Sequence, residues 1–207
     1  MRLIVGLGNP GNRYALTRHN VGFLAAEAIA RAQRFAAFRE KFQGEIAEGT
    51  IGGERVYLLK PQTFMNLSGE SVGAASRFYK IAPEEIAVIH DEIDLAPGKL
   101  KVKQGGGTAG HNGLRSIDDA IGPDFWRVRI GIGHPGQKEL VEPYVLSAFD
   151  SDDKLWLGPL IGAIAEAIPL LAAGDPPGFA TRVALILRPP PPKPPRPAPK
   201  VDNDEAT

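Results

Sequence analysis

The strongest constraint on the fold lies at the N-terminus. There an apolar run, Arg2 to Leu7, leads through glycine into the stretch GLGNPGNRYALTRHNVGF, Gly6 to Phe23. The run has the length and β-former content of a buried strand. Beyond it, Val21, Leu24, Ala25, Ala28, Ile29 and Ala32 recur at helical spacing and form one apolar stripe. A strand that feeds an amphipathic helix points to an α/β architecture. The connection between them is long and rich in turn-forming and hydrogen-bonding residues, and such connections are more often functional than idle.

The rest of the chain continues the alternation. Gly44 to Ile51 and Glu54 to Lys60 read as strands around Gly52-Gly53, a hairpin turn, with Pro61 as the stop. A helix follows with Val72, Ala75, Ser76 and Tyr79 on one face, capped by Ser68 or Asn66. Ile86 to His90 is a short buried strand running into Asp91, Glu92 and Asp94. From Lys99 to Gln104 the pattern alternates, with Leu100 and Val102 on one side and Lys101 and Lys103 on the other. The glycine-rich loop Gly105 to Gly113 feeds a short helix, Leu114 to Ile121, and Trp126 to Gly133 returns as a strand. Asp150 to Ala173 reads as one or two helices, with Pro159 and Pro169 marking starts or kinks. The expected fold is a single α/β domain with a twisted mixed, largely parallel sheet flanked by helices.

Length agrees with that. A chain of 207 residues suits one domain, here residues 1–187, and the proline-rich segment 188–207 cannot build a core. Basic and acidic residues balance at 24 each, so a polyanionic partner would have to be met by a local patch. The absence of cysteine excludes disulfides, thiolate metal sites and a cysteine nucleophile. No signal peptide is evident and no segment approaches the length of a membrane span, so a cytoplasmic protein without a membrane partner is expected.

Asn9 with His19, Asn66, Asp91, and His111 with Asn112 each fall beyond the downstream end of an expected strand. In open α/β sheets that edge is where ligands bind. A histidine and a carboxylate there suggest a general base held in one tautomer, with His19 and Asp91 as the pair. The asparagines offer neutral donors and acceptors for an ester, a ribose or an oxyanion. Lys101 and Lys103 could grip a phosphate, although alternating lysines also protect sheet edges.

Other patterns fit less well. Gly6 to Gly11 matches G-x-G-x-x-G, but Pro10-Gly11 makes a turn where a dinucleotide site needs a helix start. Gly69 to Gly73 matches G-x-S-x-G, yet Ser71 falls within a helical pattern, not at a strand end. His90, Glu92 and Asp94 could share one side of an extended segment, but surface acidity explains them more simply than a metal.

The motifs GLGNPGNRYALTRHNVGF, KPQTFMNLSGESV, HDEIDLAPGKLKVK, GHNGL and RIGIGHPG, in this order, resemble those of bacterial peptidyl-tRNA hydrolases. The resemblance implies a monomeric α/β enzyme, without metal or cofactor, that cleaves the ester between a peptide and the 3′ ribose of tRNA. It implies that His19 activates water, that Asp91 holds its imidazole, and that Asn9 reads the acylated amino end. Tyr14, Phe64, Asn66, His111 and Asn112 would line the substrate site, while Lys101, Lys103 and Arg129 would meet tRNA phosphate. A non-catalytic RNA-binding relative is the alternative. One departure is Ala109, where the family pattern has glycine; a position needing positive φ would resist alanine.

Overall fold

The computed structural model describes residues 1–188 and places strand β1 (Leu3–Gly6), buried along its whole length, in the middle of a sheet. The proline-rich tail lies, beyond Arg188, outside the described residues. The other strands are β2 (Arg39–Lys41), β3 (Gly44–Ile51), β4 (Glu54–Pro61), β5 (Ile86–Glu92), β6 (Leu100–Gln104) and β7 (Trp126–Gly131), in the order β2-β3-β4-β1-β5-β7-β6. The central strands β4, β1, β5 and β7 run parallel, and both flanks are antiparallel. This is the expected single α/β domain with a mixed sheet.

The sheet is covered on both faces, which is why its central strands read as continuous apolar runs. Alternation along β1 sends Ile4 to one side and Leu3 and Val5 to the other. The Ile4 side meets α1 (Val21–Ala32), α5 (Ser151–Ala172) and α6 (Pro176–Leu187), through residues such as Ile29, Ile164 and Phe179. The opposite side meets α2 (Ser68–Tyr79) and α3 (Asn112–Ile121), through Val72, Leu114 and Ile117. A methyl added to Gly22 in the first turn of α1 would stand 2.3 Å from the Leu7 nitrogen and 2.4 Å from the Ile89 oxygen. Only glycine lets α1 start this close to the sheet.

Several local expectations need correction. Strand β5 continues to Glu92, so Asp91 lies on the strand and not beyond it. Strand β6 is antiparallel, so it ends level with the start of β7; the glycine-rich loop must then travel back along the sheet before His111 reaches the carboxyl edge. Neither Ser68 nor Asn66 caps α2: Leu67 holds that position, and the Ser68 hydroxyl donates to the Met65 carbonyl at 2.9 Å.

Pro159 and Pro169 neither start nor split a helix but lie inside α5. Each proline leaves a carbonyl four residues earlier without its partner. Ala165, four before Pro169, instead accepts the Gln33 side-chain amide at 3.0 Å. The same helix corrects the membrane expectation, since its 22 residues, with mean hydropathy 1.7 over the most apolar window, are long and apolar enough to span a bilayer. Of that window 44% is buried, in the core that the helix shares with α1 and α6. Strand β2, the short helix α4 (Val141–Val145) and α6 were not anticipated.

Candidate active site

The carboxyl ends of β1 and β5 deliver the site's centre. Asp91, near the end of β5, has a side chain only 2% exposed. His19 sits in the 3-10 turn Arg18–Asn20 that precedes α1, and its Nδ1 lies 2.9 and 3.0 Å from the two Asp91 carboxylate oxygens. From the opposite face of the sheet, His111 Nε2 approaches Asp91 Oδ1 at 3.1 Å. His111 is the N-cap of α3, and its Nδ1 accepts from the backbone of Gly113 and Leu114 at 3.1 and 3.3 Å. With Nδ1 used as an acceptor, the ring must carry its proton on Nε2 and donate it to Asp91.

The same logic fixes His19. Facing a carboxylate, Nδ1 carries the proton, so in the neutral ring Nε2 is a bare acceptor. Burial alone would push the His19 pKa down, but the charge of Asp91 and the hydrogen bond to it prevail and hold it above its ordinary value. For Asp91, burial would raise the pKa, yet His19 and His111 hold it well below the usual carboxylate range. Next to it, His90 is fully buried and pushed down to about 3, chiefly by burial and then by His111. Its Nδ1 donates to the Asp91 carbonyl at 2.7 Å.

His19 Nδ1, the Asp91 carboxylate and His111 Nε2 lie within 4.8 Å of one another, close enough to be considered as metal ligands. Here they satisfy each other, the carboxylate accepting both N–H groups, and a cation would have to displace both protons. The set His90, Glu92 and Asp94 does not converge. His90 is turned to the backbone, and Glu92 is taken up by Arg129 Nε at 2.9 Å and by the Asp94 amide at 3.1 Å.

Around the pair opens a cleft of ≈ 820 Å³. Of the residues singled out from the sequence, Asn9, Tyr14, His19, Phe64, Asn66, Asp91, His111 and Asn112 line it. Asn9 is held most closely. Its backbone N–H donates to Asn20 Oδ1 and its carbonyl accepts from Asn20 Nδ2, both at 2.9 Å. Its Oδ1 accepts the Met65 N–H at 2.8 Å, which leaves Nδ2 as the free donor of the amide. Asn66, in the middle of the 3-10 turn Met65–Leu67 before α2, and Asn112, at the start of α3, are exposed.

Lys101, Lys103 and Arg129 are not in the cleft lining. The lysines stand exposed on the edge strand β6, with Lys101 paired in register with Arg129 of β7. Arg129 shares its charge with Glu92. Ser71, the serine of the G-x-S-x-G match, is buried inside α2 with its hydroxyl unpartnered, so it cannot act as an exposed nucleophile.

The family model for peptidyl-tRNA hydrolase matches residues 3–184. The chain belongs to the peptidyl-tRNA hydrolase family. Among its relatives, the peptidyl-tRNA hydrolase of Rhodospirillum centenum is 57% identical over 92% of this chain and 84% of its own length. That of Ruegeria pomeroyi is 59% identical over 93% and 80%. The solved structure of the peptidyl-tRNA hydrolase from Acinetobacter baumannii superposes with a TM-score of 0.85 at 46% identity, covering 88% of this chain and 94% of that one.

For a member of the peptidyl-tRNA hydrolase family, sequence reasoning missed two parts of the site. One is Asn20, the clamp on the Asn9 backbone, which could have been suspected from its place in the same connection. The other is the cleft wall formed by Val141, Glu142, Val145 and Leu146, for which a five-residue helix carries no readable period. Ala109 adopts φ 47° beside Gly110 at φ 81°. The alanine therefore accepts the left-handed conformation, at a cost of about 1–2 kcal/mol.

Proposed function

We propose that this chain hydrolyses the ester joining a peptide, or an N-blocked aminoacyl group, to the 3′ ribose of tRNA, by direct attack of water with His19 as general base. The observation that carries the reading is the buried Asp91 carboxylate, which takes the proton-bearing Nδ1 of His19 and leaves Nε2 for the cleft. A water bound at Nε2 loses its proton to the imidazole as its oxygen attacks the ester carbonyl carbon. Asp91 stabilises the imidazolium that forms. The carbonyl oxygen becomes an oxyanion, for which the amides of Asn66 and Asn112 are neutral donors. Collapse breaks the bond to the ribose oxygen, which takes the proton back from His19. The products are the peptide carboxylic acid, ionised at neutral pH, and tRNA with a free 3′ end.

Asn9 supplies the discrimination. Its free Nδ2 donor suits the carbonyl of an amide on the substrate's amino end. A free α-ammonium offers only donors and would leave Nδ2 unsatisfied, which selects peptidyl over aminoacyl esters. Tyr14 and Phe64 line the site beside it, and Lys101 and Lys103, with Arg129, meet the phosphate backbone of the tRNA outside the cleft. The reading carries with it a monomer acting in the cytoplasm, where aborted translation supplies such esters. Release of tRNA from N-acetylated and unblocked aminoacyl-tRNA tests it. His19→Ala should abolish turnover while leaving tRNA binding intact, and comparable turnover in that variant would refute the base assignment.

A further inference from the structure

Arg18 takes no part in this chemistry, yet it is a buried cation, its side chain only 7% exposed. Four of its five N–H groups are committed. Nη1 donates to Ser147 Oγ and to the Ala148 carbonyl, both at 2.7 Å. Nη2 donates to Asp150 Oδ2 at 3.2 Å and to Asp153 Oδ2, while Nε is buried without a partner. The guanidinium lies 4.6 Å from the Tyr144 ring centroid and 5.7 Å from that of Phe149. Backbone bonds from Arg18 N–H to Ser147 O and from Phe149 N–H to Leu16 O, each 3.1 Å, run alongside.

The acceptors of the Arg18 side chain all lie between α4 and the first turn of α5. Burying a guanidinium for packing alone is poor economy, since an apolar residue of similar volume serves as well or better. What the planar fork offers is fixed geometry among several acceptors at once. The segment it fixes follows directly on α4, whose Tyr144 it also touches and whose Val141 and Val145, with Leu146 just after, give the cleft an apolar strip beside Glu142. Apolar side chains suit the acyl group of a substrate, not its ribose or phosphates.

We propose that Arg18 is a positioning residue that holds the α4 wall at a set distance from its neighbour His19, and that this wall receives the side chain of the aminoacyl group at the scissile ester. The proposal rests on the esterase reading above. His19 is held separately by Asp91, so loss of the Arg18 side chain loosens the wall, which keeps only its backbone bonds to Leu16 and Arg18, and leaves the base in place. A wall that no longer seats the acyl side chain costs binding of large apolar substrates and spares those without a side chain.

The test compares N-acetylphenylalanyl-tRNA with N-acetylglycyl-tRNA, using the unaltered chain, Arg18→Gln and Asp150→Asn. Asparagine keeps the N-cap of α5 while removing one ion pair at an exposed position, so that variant should fold. Arg18→Gln should raise KM for the phenylalanyl substrate roughly tenfold, the scale of a lost apolar contact, with kcat, the pH profile and the glycyl KM little changed. Asp150→Asn should shift KM in the same direction by less. A fall in kcat alone, or an equal rise in KM for both substrates, would overturn the proposal. Absence of turnover by the unaltered chain on either substrate would instead overturn the esterase reading, and this proposal with it.

Discussion

Replacing Gly22 by alanine tests how the position of His19 is set. The added methyl would meet Leu7 N at 2.3 Å, Ile89 O at 2.4 Å and Leu7 O at 2.6 Å. Ordinary contact needs about 3.5 Å, so α1 must retreat from the sheet by about 1 Å. Overpacking of this kind costs about 1–3 kcal/mol. One backbone bond joins the helix to the sheet at this contact, Phe23 N–H to Leu7 O at 3.2 Å. Stretching it adds about 1 kcal/mol, for a total of about 2–4 kcal/mol. In a chain of this size that lowers Tm by roughly 4–16 °C. Because His19 immediately precedes the retreating turn, a displacement of about 1 Å should also cut kcat on the order of a hundredfold.

The control is Gly162→Ala, also a glycine-to-alanine change inside a helix. Beyond the backbone of its own helix no atom lies within 4 Å of the added methyl in α5, so the change should stabilise by about 0.5–1 kcal/mol. Thermal melts and single-turnover hydrolysis read both variants. A Gly22→Ala protein that melts with the parent and keeps its turnover would refute the close-approach argument.

Activity should rise with pH through the elevated His19 pKa, since only the neutral imidazole accepts a proton. In Asp91→Asn burial acts without its counterweight, so the acid limb should move to lower pH while the plateau falls; an unmoved limb in the pH–kcat/KM profile would count against the pairing. Lys103→Ala should weaken tRNA binding and reduce the slope of log K against log salt by about 0.7–0.9, with an unchanged slope arguing against phosphate contact. Ala109→Gly should relieve about 1–2 kcal/mol of left-handed strain and lose about 0.4–1 kcal/mol to the unfolded chain, for a net gain of about 0–1.6 kcal/mol in urea denaturation.

The sequence was legible where chemistry and local pattern coincide. His19, Asp91 and Asn9 stand in dense motifs next to strands whose apolar runs leave little doubt, and they do meet in one cleft. Strand direction was not legible, because the alternation of Leu100 and Val102 with Lys101 and Lys103 is the same whichever way β6 runs. The route of the glycine-rich loop was therefore misjudged. Helix α6 was hidden by Pro176-Pro177-Gly178, although Asp175 followed by proline is a sound start signal, and its side chain does accept the Gly178 N–H at 2.9 Å. For α5, two prolines argued against one helix, and tertiary contacts such as Gln33 on Ala165 outweighed them.

His19 enters from the layer built by α1, α5 and α6, and His111 from the layer built by α2 and α3; their protons meet on one carboxylate at the rim between them. The His19–Asp91–His111 cluster is therefore a keystone between two hydrophobic cores. A chain with only one layer docked would lack either His19 or the second N–H that steadies Asp91. Under the proposed mechanism, hydrolysis of the ester then reports that both layers have docked.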